Sequence, residues 1–235
     1  MSLLRVQIKG MYGNLYIVAT PIGNLEDISL RALRILKEAD FIFAEDTRVT
    51  KTLLKHYNIN TFLEAYHQHS SEKATFHIAQ LLREGKNCAL VTDAGTPGIS
   101  DPGNELVARL YGILGMELRV VPIPGPSALT ALASVSGLPM QNFVFLGYPP
   151  TKKGRKTFFN NLAVFKDMPK IIYESPYRVA KTLMEARAVL GDNAKVIVGR
   201  ELTKKFETIF RGTLEQAIEN INKEKPRGEY TIIFY

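Results

Sequence analysis

A single cysteine, Cys88, stands in a chain of 235 residues. One thiol excludes an internal disulfide and any metal site built on several cysteines, and its place in an apolar run assigns it to the core. No stretch approaches the roughly 18 consecutive apolar residues that a membrane-spanning helix needs. The N-terminus lacks the charged, apolar and small-residue order of a secretory signal. These absences lead us to expect a cytoplasmic protein with no membrane partner. The opening MSLLRVQIKG precedes a start-like Met11 and carries no functional reading. There is no low-complexity tract and no fixed short repeat. Two nucleotide signatures are also missing: G-x-x-x-x-G-K-[ST] is absent, and no G-x-G-x-x-G opens the first helix.

What is present is a rhythm. With 46% hydrophobic residues the chain can bury the core of one large α/β unit or two modest ones. Short apolar runs at 15–19, 41–44, 62–65, 88–92 and 118–121 alternate with helical patterns at 29–38, 47–57 and 70–84 and a further helix near Asn104. That alternation predicts an α/β fold with mainly parallel sheets. Pro122-Ile-Pro-Gly-Pro126 interrupts it, so we expect two α/β domains, 1–122 and 123–235. The second half reads as helix 128–135, strand 143–146, helix 155–165, strand 170–173, helix 177–190 and strand 194–198. Its finish (208–211, 214–220, 230–234) predicts some antiparallel pairing, because links such as Lys204-Lys205 leave no room for a crossover helix. Charge is uneven. Residues 1–122 hold 13 Lys+Arg and 13 Asp+Glu, whereas 123–235 hold 17 and 10, so the whole +7 excess lies in the second half. A polyanionic partner docking there is one reading and a solvated basic face the other.

Ligands of open α/β sheets collect beyond the carboxyl ends of the strands, so the loops there are the places to search. Five stand out: Thr20-Pro-Ile-Gly-Asn24, Glu45-Asp-Thr-Arg48, the stretch DAGTPGISDPG from Asp93 to Gly103, Pro124-Gly-Pro-Ser-Ala128, and Glu174-Ser-Pro-Tyr-Arg178. In the third, glycines at 95, 98 and 103 permit close backbone approach, while Pro97 and Pro102 fix the turns between them. Main-chain groups can therefore line a small-molecule pocket, with Asp93 beside it suiting a cation or a hydroxyl. Each loop taken alone also reads as a tight turn with an Asx cap.

TPIGN, EDTR, VTDAGTPGISDPG, PIPGPSAL, YESPYR and GRELTK, in that order, resemble the tetrapyrrole methylase superfamily, and within it the bacterial small-subunit ribosomal RNA methyltransferases. The resemblance runs from about Gly13 to the end of the chain. It implies two α/β domains of the tetrapyrrole methylase type with S-adenosylmethionine held in the cleft between them, and a homodimer. It also implies methyl transfer to the ribose 2′-oxygen of a cytidine in the decoding region of 16S rRNA, with the small ribosomal subunit or its RNA as partner. Cofactor positions carried over one at a time are Pro21, Asp93, Ala94, Gly95, Thr96, Ile99, Ser127, Ala128, Glu174 and Leu202. Members of this branch often continue past the last strand into a small C-terminal region that this sequence does not contain.

Methyl transfer to a hydroxyl needs alignment and a proton acceptor. Glu45, Asp46, Asp93 and Glu174, all at strand ends, are the unranked candidates for a catalytic carboxylate, and each also reads as a cap or an arginine partner given Arg48 and Arg178. For RNA, Tyr148 is a candidate stacking ring or a hinge aromatic. Lys152, Lys153, Arg155 and Lys156 put four positive charges at a helix start, where the macrodipole disfavours cations, and phosphate docking explains that placement. Arg178, Lys204 and Lys205 extend the basic set. His67 and His69 have chelating spacing but no third ligand, so we expect surface or dimer contacts and no metal. Two other functions stay open: a methyltransferase of the same fold acting on a tetrapyrrole or a protein side chain, and a non-catalytic ribosome-assembly module that binds RNA.

Overall fold

The structure is a computed structural model and describes residues 12–235 apart from 68–71, 102, 166, 224 and 226. The chain alternates β1 (Leu15–Val18), α1 (Leu30–Glu38), β2 (Phe41–Ala44), α2 (Thr47–His56), β3 (Phe62–Ala65), α3 (Glu72–Arg83), β4 (Cys88–Val91), α4 (Asn104–Leu114) and β5 (Val120–Ile123). These strands form one sheet in the order β3-β2-β4-β1-β5, and every pairing in it is parallel. A parallel sheet must be covered on both faces, and the strands show how. In β4, Ala89 and Val91 join α1 and α2 in one apolar cluster, whereas Cys88 and Leu90 join α3 and α4 in another. Local signals fix the helix ends: Ser29 caps α1 by accepting from Ala32 N, and Asp46 caps α2 by accepting from Arg48 N.

The chain continues through α5 (Ala128–Ser134), β6 (Val144–Phe145), α6 (Arg155–Val164), β7 (Lys170–Glu174), α7 (Val179–Leu190), β8 (Lys195–Arg200), β9 (Thr208–Thr213), α8 (Leu214–Asn222) and β10 (Tyr230–Phe234). Here the order is β6-β7-β10-β8-β9, and only β6 and β7 pair in parallel. The mainly parallel expectation therefore describes the first sheet. In the second, antiparallel pairing reaches the centre, because the last strand inserts between β7 and β8 with its direction reversed. Ile232 and Phe234 of β10 pack under α6, α7 and α8, while Ile233 turns to the cluster that holds Leu132 of α5.

Contacts divide the chain into two compact units between Pro126 and Ser127, a few residues beyond the expected junction at 122/123. The reason is β5, which keeps Pro122 and Ile123 in register with β1. Ile22–Asn24 group with the second unit, since Ile22 is buried among Leu132, Ile171, Ile197 and Leu202. Among the described residues no helix is long and apolar enough to cross a membrane.

Candidate active site

In the first unit β1 and β4 lie side by side, yet their outgoing connections part: the chain leaves β1 for β2 on one side and β4 for β5 on the other. Such a switch opens a crevice at the carboxyl ends of the strands. The two loops that border it are stitched together. Thr20 N donates to Gly95 O at 2.8 Å and Gly95 N returns a bond to Thr20 O at 3.0 Å, while Thr20 Oγ1 donates to Thr92 O at 3.0 Å. Gly95 adopts φ 87°, a conformation that side chains with a Cβ disfavour. Beyond it, Thr96 Oγ1 donates to Pro126 O at 3.2 Å and Asp101 Oδ1 accepts from Gly98 N. Ser100 has φ 70°, a left-handed non-glycine held by this bend. A Cβ on Gly103 would stand 2.6 Å from Gly98 N, so the loop closes on itself only with glycine there. Pro102 and His69 lie outside the described residues; His67 is exposed.

Carboxylates gather on the same edge. Thr92 Oγ1 donates to Glu45 Oε2 at 2.8 Å, and Asp93 Oδ1 accepts from Asp46 N at 3.0 Å. Burial raises Asp93, with Glu45 and Asp46 adding in the same direction. Asp101 is pushed up to about 6, first by burial and then by the charges of Glu45 and Asp93, against the bond from Gly98 N. Sequence reasoning passed over Asp101. No local spacing signals it, since an Asx turn accepts from an N–H two residues further on, whereas Asp101 accepts from one three residues back. Asp46 differs: hydrogen bonds with Arg48 hold it down at about 2. It is a helix cap and an ion-pair partner, and leaves the set of proton acceptors. Of the cofactor candidates in this unit, Pro21 is half-buried, Ala94 is exposed, and the Ile99 side chain stands in the open at 42%.

In the second unit Glu174 ends β7 with a fully buried carboxylate. Oε1 accepts from Ser175 N at 2.7 Å and pairs with Arg178 Nε at 3.3 Å, and Oε2 accepts from Thr182 Oγ1 at 2.5 Å. Both oxygens are engaged within the unit, which favours an anchor of the β7–α7 turn over the catalytic and cofactor roles expected of this residue. Thr182 Oγ1 in turn accepts from Arg155 NH2 at 2.8 Å. Arg155 also bonds Pro150 O and Glu185, stacks 5.1 Å from the Phe159 ring centroid, and is buried. Arg155 therefore leaves the RNA-facing set: its positive charge at a helix start answers Glu185, not phosphate. Arg178 is held likewise by Glu174 and by Pro149 O. Lys204 bridges Glu201 at 2.8 Å and Glu229 at 2.9 Å, so its charge is matched within the unit.

Lys152, Lys153, Lys156 and Lys205 remain exposed, and Tyr148 is half exposed, tilted 5.6 Å from Tyr173. Ser127 and Ala128 are half-buried at the start of α5. The Leu202 side chain is core, 7% exposed, and Glu201 and Thr203 on either side have φ 52° and 67°. That unusual turn leaves Leu202 only its backbone to offer a ligand. Among the described residues no group of three His, Cys, Asp or Glu could hold a metal ion.

Residues 14–218 match the family described as Tetrapyrrole (Corrin/Porphyrin) Methylases. The Ribosomal RNA small subunit methyltransferase I of Thermotoga maritima is 44% identical over 221 residues, covering 94% of this chain and 97% of that protein. The enzyme of the same name from Halalkalibacterium halodurans is 46% identical over 222 residues, 94% of this chain and 75% of its own length. Among solved structures, a cobalt precorrin-4 methyltransferase of cobalamin biosynthesis is similar with TM-score 0.71 at 19% identity, covering 94% of both chains. A diphthine synthase is similar with TM-score 0.72 at 14% identity, covering 94% of this chain and 90% of its own. The structural likenesses speak for the fold.

Proposed function

Because the chain belongs to the tetrapyrrole methylase family, we propose that it is an S-adenosylmethionine-dependent methyltransferase of small-subunit ribosomal RNA, acting on the ribose 2′-oxygen of a cytidine. The observation that carries this reading is the stitched glycine loop at the switch point of the first sheet, edged by Glu45, Asp93 and Asp101. Relatives named as small-subunit RNA methyltransferases, and the basic excess of residues 123–235, favour RNA over a tetrapyrrole. We assign the chain to the cytoplasm and to a homodimer, the latter testable by sedimentation equilibrium.

The residues fit such a donor. Main chain at Gly95 and Thr96 and the open Ile99 side chain suit a flat, partly apolar ligand, and the carboxylates suit a cation. S-adenosylmethionine, when bound, supplies a methyl group already activated on a positive sulfur. Pro21, Ala94, Gly95, Thr96 and Ile99 are the proposed residues that would hold it in the first unit; Ser127, Ala128 and the Leu202 backbone are separate candidates within the second. Asp93 contributes negative charge beside a sulfonium. Asp101, with an acidity close to neutral pH, takes the proton from the ribose hydroxyl at its carboxylate oxygen. The loop's turns are fixed by its own hydrogen bonds, so alignment requires little reorganisation.

The test offers methyl-labelled S-adenosylmethionine with assembled small subunits, free small-subunit RNA or a precorrin in separate reactions. Label on a cytidine ribose is the expected result. Label confined to the precorrin overturns the reading, and no label in any arm assigns the chain to ribosome assembly without turnover.

Two substitutions probe its parts. Gly95→Val forces a β-branched residue to φ 87° and is expected to weaken cofactor binding by about 5–30-fold in calorimetric titration, the equivalent of about 1–2 kcal/mol of strain in the loop. Unimpaired titration removes the loop from the cofactor site. The triple variant Lys152→Ala, Lys153→Ala, Lys156→Ala leaves the buried Arg155 in place. It is expected to flatten the salt dependence of RNA binding by about 0.7–0.9 per lost phosphate contact while cofactor affinity holds.

A further inference from the structure

A groove of about 700 Å³ runs along α2 in the first unit, the half of the chain with no net charge. Arg48, Lys51 and Lys55 line one wall. The other wall exists because Asn58, at φ 53°, stops the helix and turns the chain back: Asn58 N donates to Lys55 O and Ile59 N to Leu54 O. Asn60 and Thr61 then return beside the helix into β3. Among the described residues no carboxylate lines the groove. Arg48 is paired with Asp46, but among the described residues Lys51 and Lys55 are exposed and have no ion-pair partner.

We propose that this groove binds the phosphate backbone of the RNA strand that carries the methylated nucleotide, an inference that rests on the RNA methyl transfer proposed above. Three observations support it. Lys51 and Lys55 lie four residues apart, about 6 Å along the helix axis, comparable with the step between successive phosphates. The groove starts at Thr47, next to the cap Asp46 whose N–H donates to Asp93, so a strand lying in it leads to the carboxylate edge. Of the apolar lining, Leu54 and Ile59 are 4% and 5% exposed and Leu63 is half-buried, so the exposed side chains of the groove are those of Arg48, Lys51, Lys55, Asn58 and Asn60. Protein interfaces depend on buried apolar anchors, whereas ammonium groups without acids recognise phosphate.

The experiment compares wild type with the double variant Lys51→Gln, Lys55→Gln. Probes are a fluorescein-labelled RNA hairpin with a cytidine in its loop, read by anisotropy over a range of salt, and labelled polyglutamate. Both positions are exposed, and an unchanged melting curve and cofactor titration establish that the variant is folded. Expected is RNA affinity on the order of tenfold lower, with the salt slope reduced by about 1.4–1.8 for two lost contacts, and little change with polyglutamate. An unchanged RNA affinity and slope overturns the groove assignment while leaving the RNA methyltransferase reading intact. Equal losses for RNA and polyglutamate also overturn it, in favour of an acidic protein segment. If wild type neither binds the hairpin nor labels small-subunit RNA, the underlying function fails and the groove with it.

Discussion

Replacement of Glu174 by alanine is expected to cost the chain about 3–5 kcal/mol of stability, the range for breaking a buried ion pair by removing one partner. The carboxylate is fully buried and answers three groups at once: Ser175 N, Thr182 Oγ1 and Arg178 Nε. Without it Thr182 keeps Arg155 but loses its acceptor, and Arg178 keeps only Pro149 O. Glu174→Gln retains an acceptor of the same shape and loses less, about 1–3 kcal/mol, through the charge and one mismatched bond. Urea unfolding followed by far-UV dichroism measures both, with the two units permitted separate transitions. A Glu174→Ala protein that keeps wild-type stability and loses turnover would restore the carboxylate to the catalytic candidates and remove it from the scaffold.

Asp101→Asn is expected to lower kcat by about 10²–10⁴-fold, the usual contribution of a positioned base. The amide oxygen still accepts from Gly98 N, so the loop keeps its bend and cofactor affinity stays close to wild type. The sign of the pH dependence follows from the raised pKa. The deprotonated form is the active one, so the wild-type rate rises with pH through about 6 and levels above it, and the variant lacks that rise. Stability runs the other way. A carboxyl that titrates at 3.8 when unfolded and about 6 when folded binds its proton more tightly in the native state. It therefore subtracts stability above about 6, and this loss is relieved as pH falls toward 3.8. Asp101→Asn removes that cost and should melt higher than wild type at neutral pH, a stability gained at the expense of activity. A flat wild-type profile across this range, or a fully active variant, assigns the proton to another group, with Asp93 and Glu45 next in reach of the same edge.

Local pattern in the sequence determined the alternation of strands and helices, the capping at Ser29 and the position of the turn-rich loops, since each depends on neighbours a few residues away. DAGTPGISDPG marked the crevice because glycine permission and proline restriction are written residue by residue. Four lysines and arginines at 152–156 read as one stripe, and only folding separated them. Arg155 meets Thr182 and Glu185, 27 and 30 positions along the chain, and turns inward while its lysine neighbours stay in water. The reversed seat of β10 between β7 and β8 and the acidity of Asp101 were likewise decided by tertiary structure. Strand order, burial and charge proximity arise from contacts between distant segments, and a one-dimensional period carries no record of which distant groups will meet.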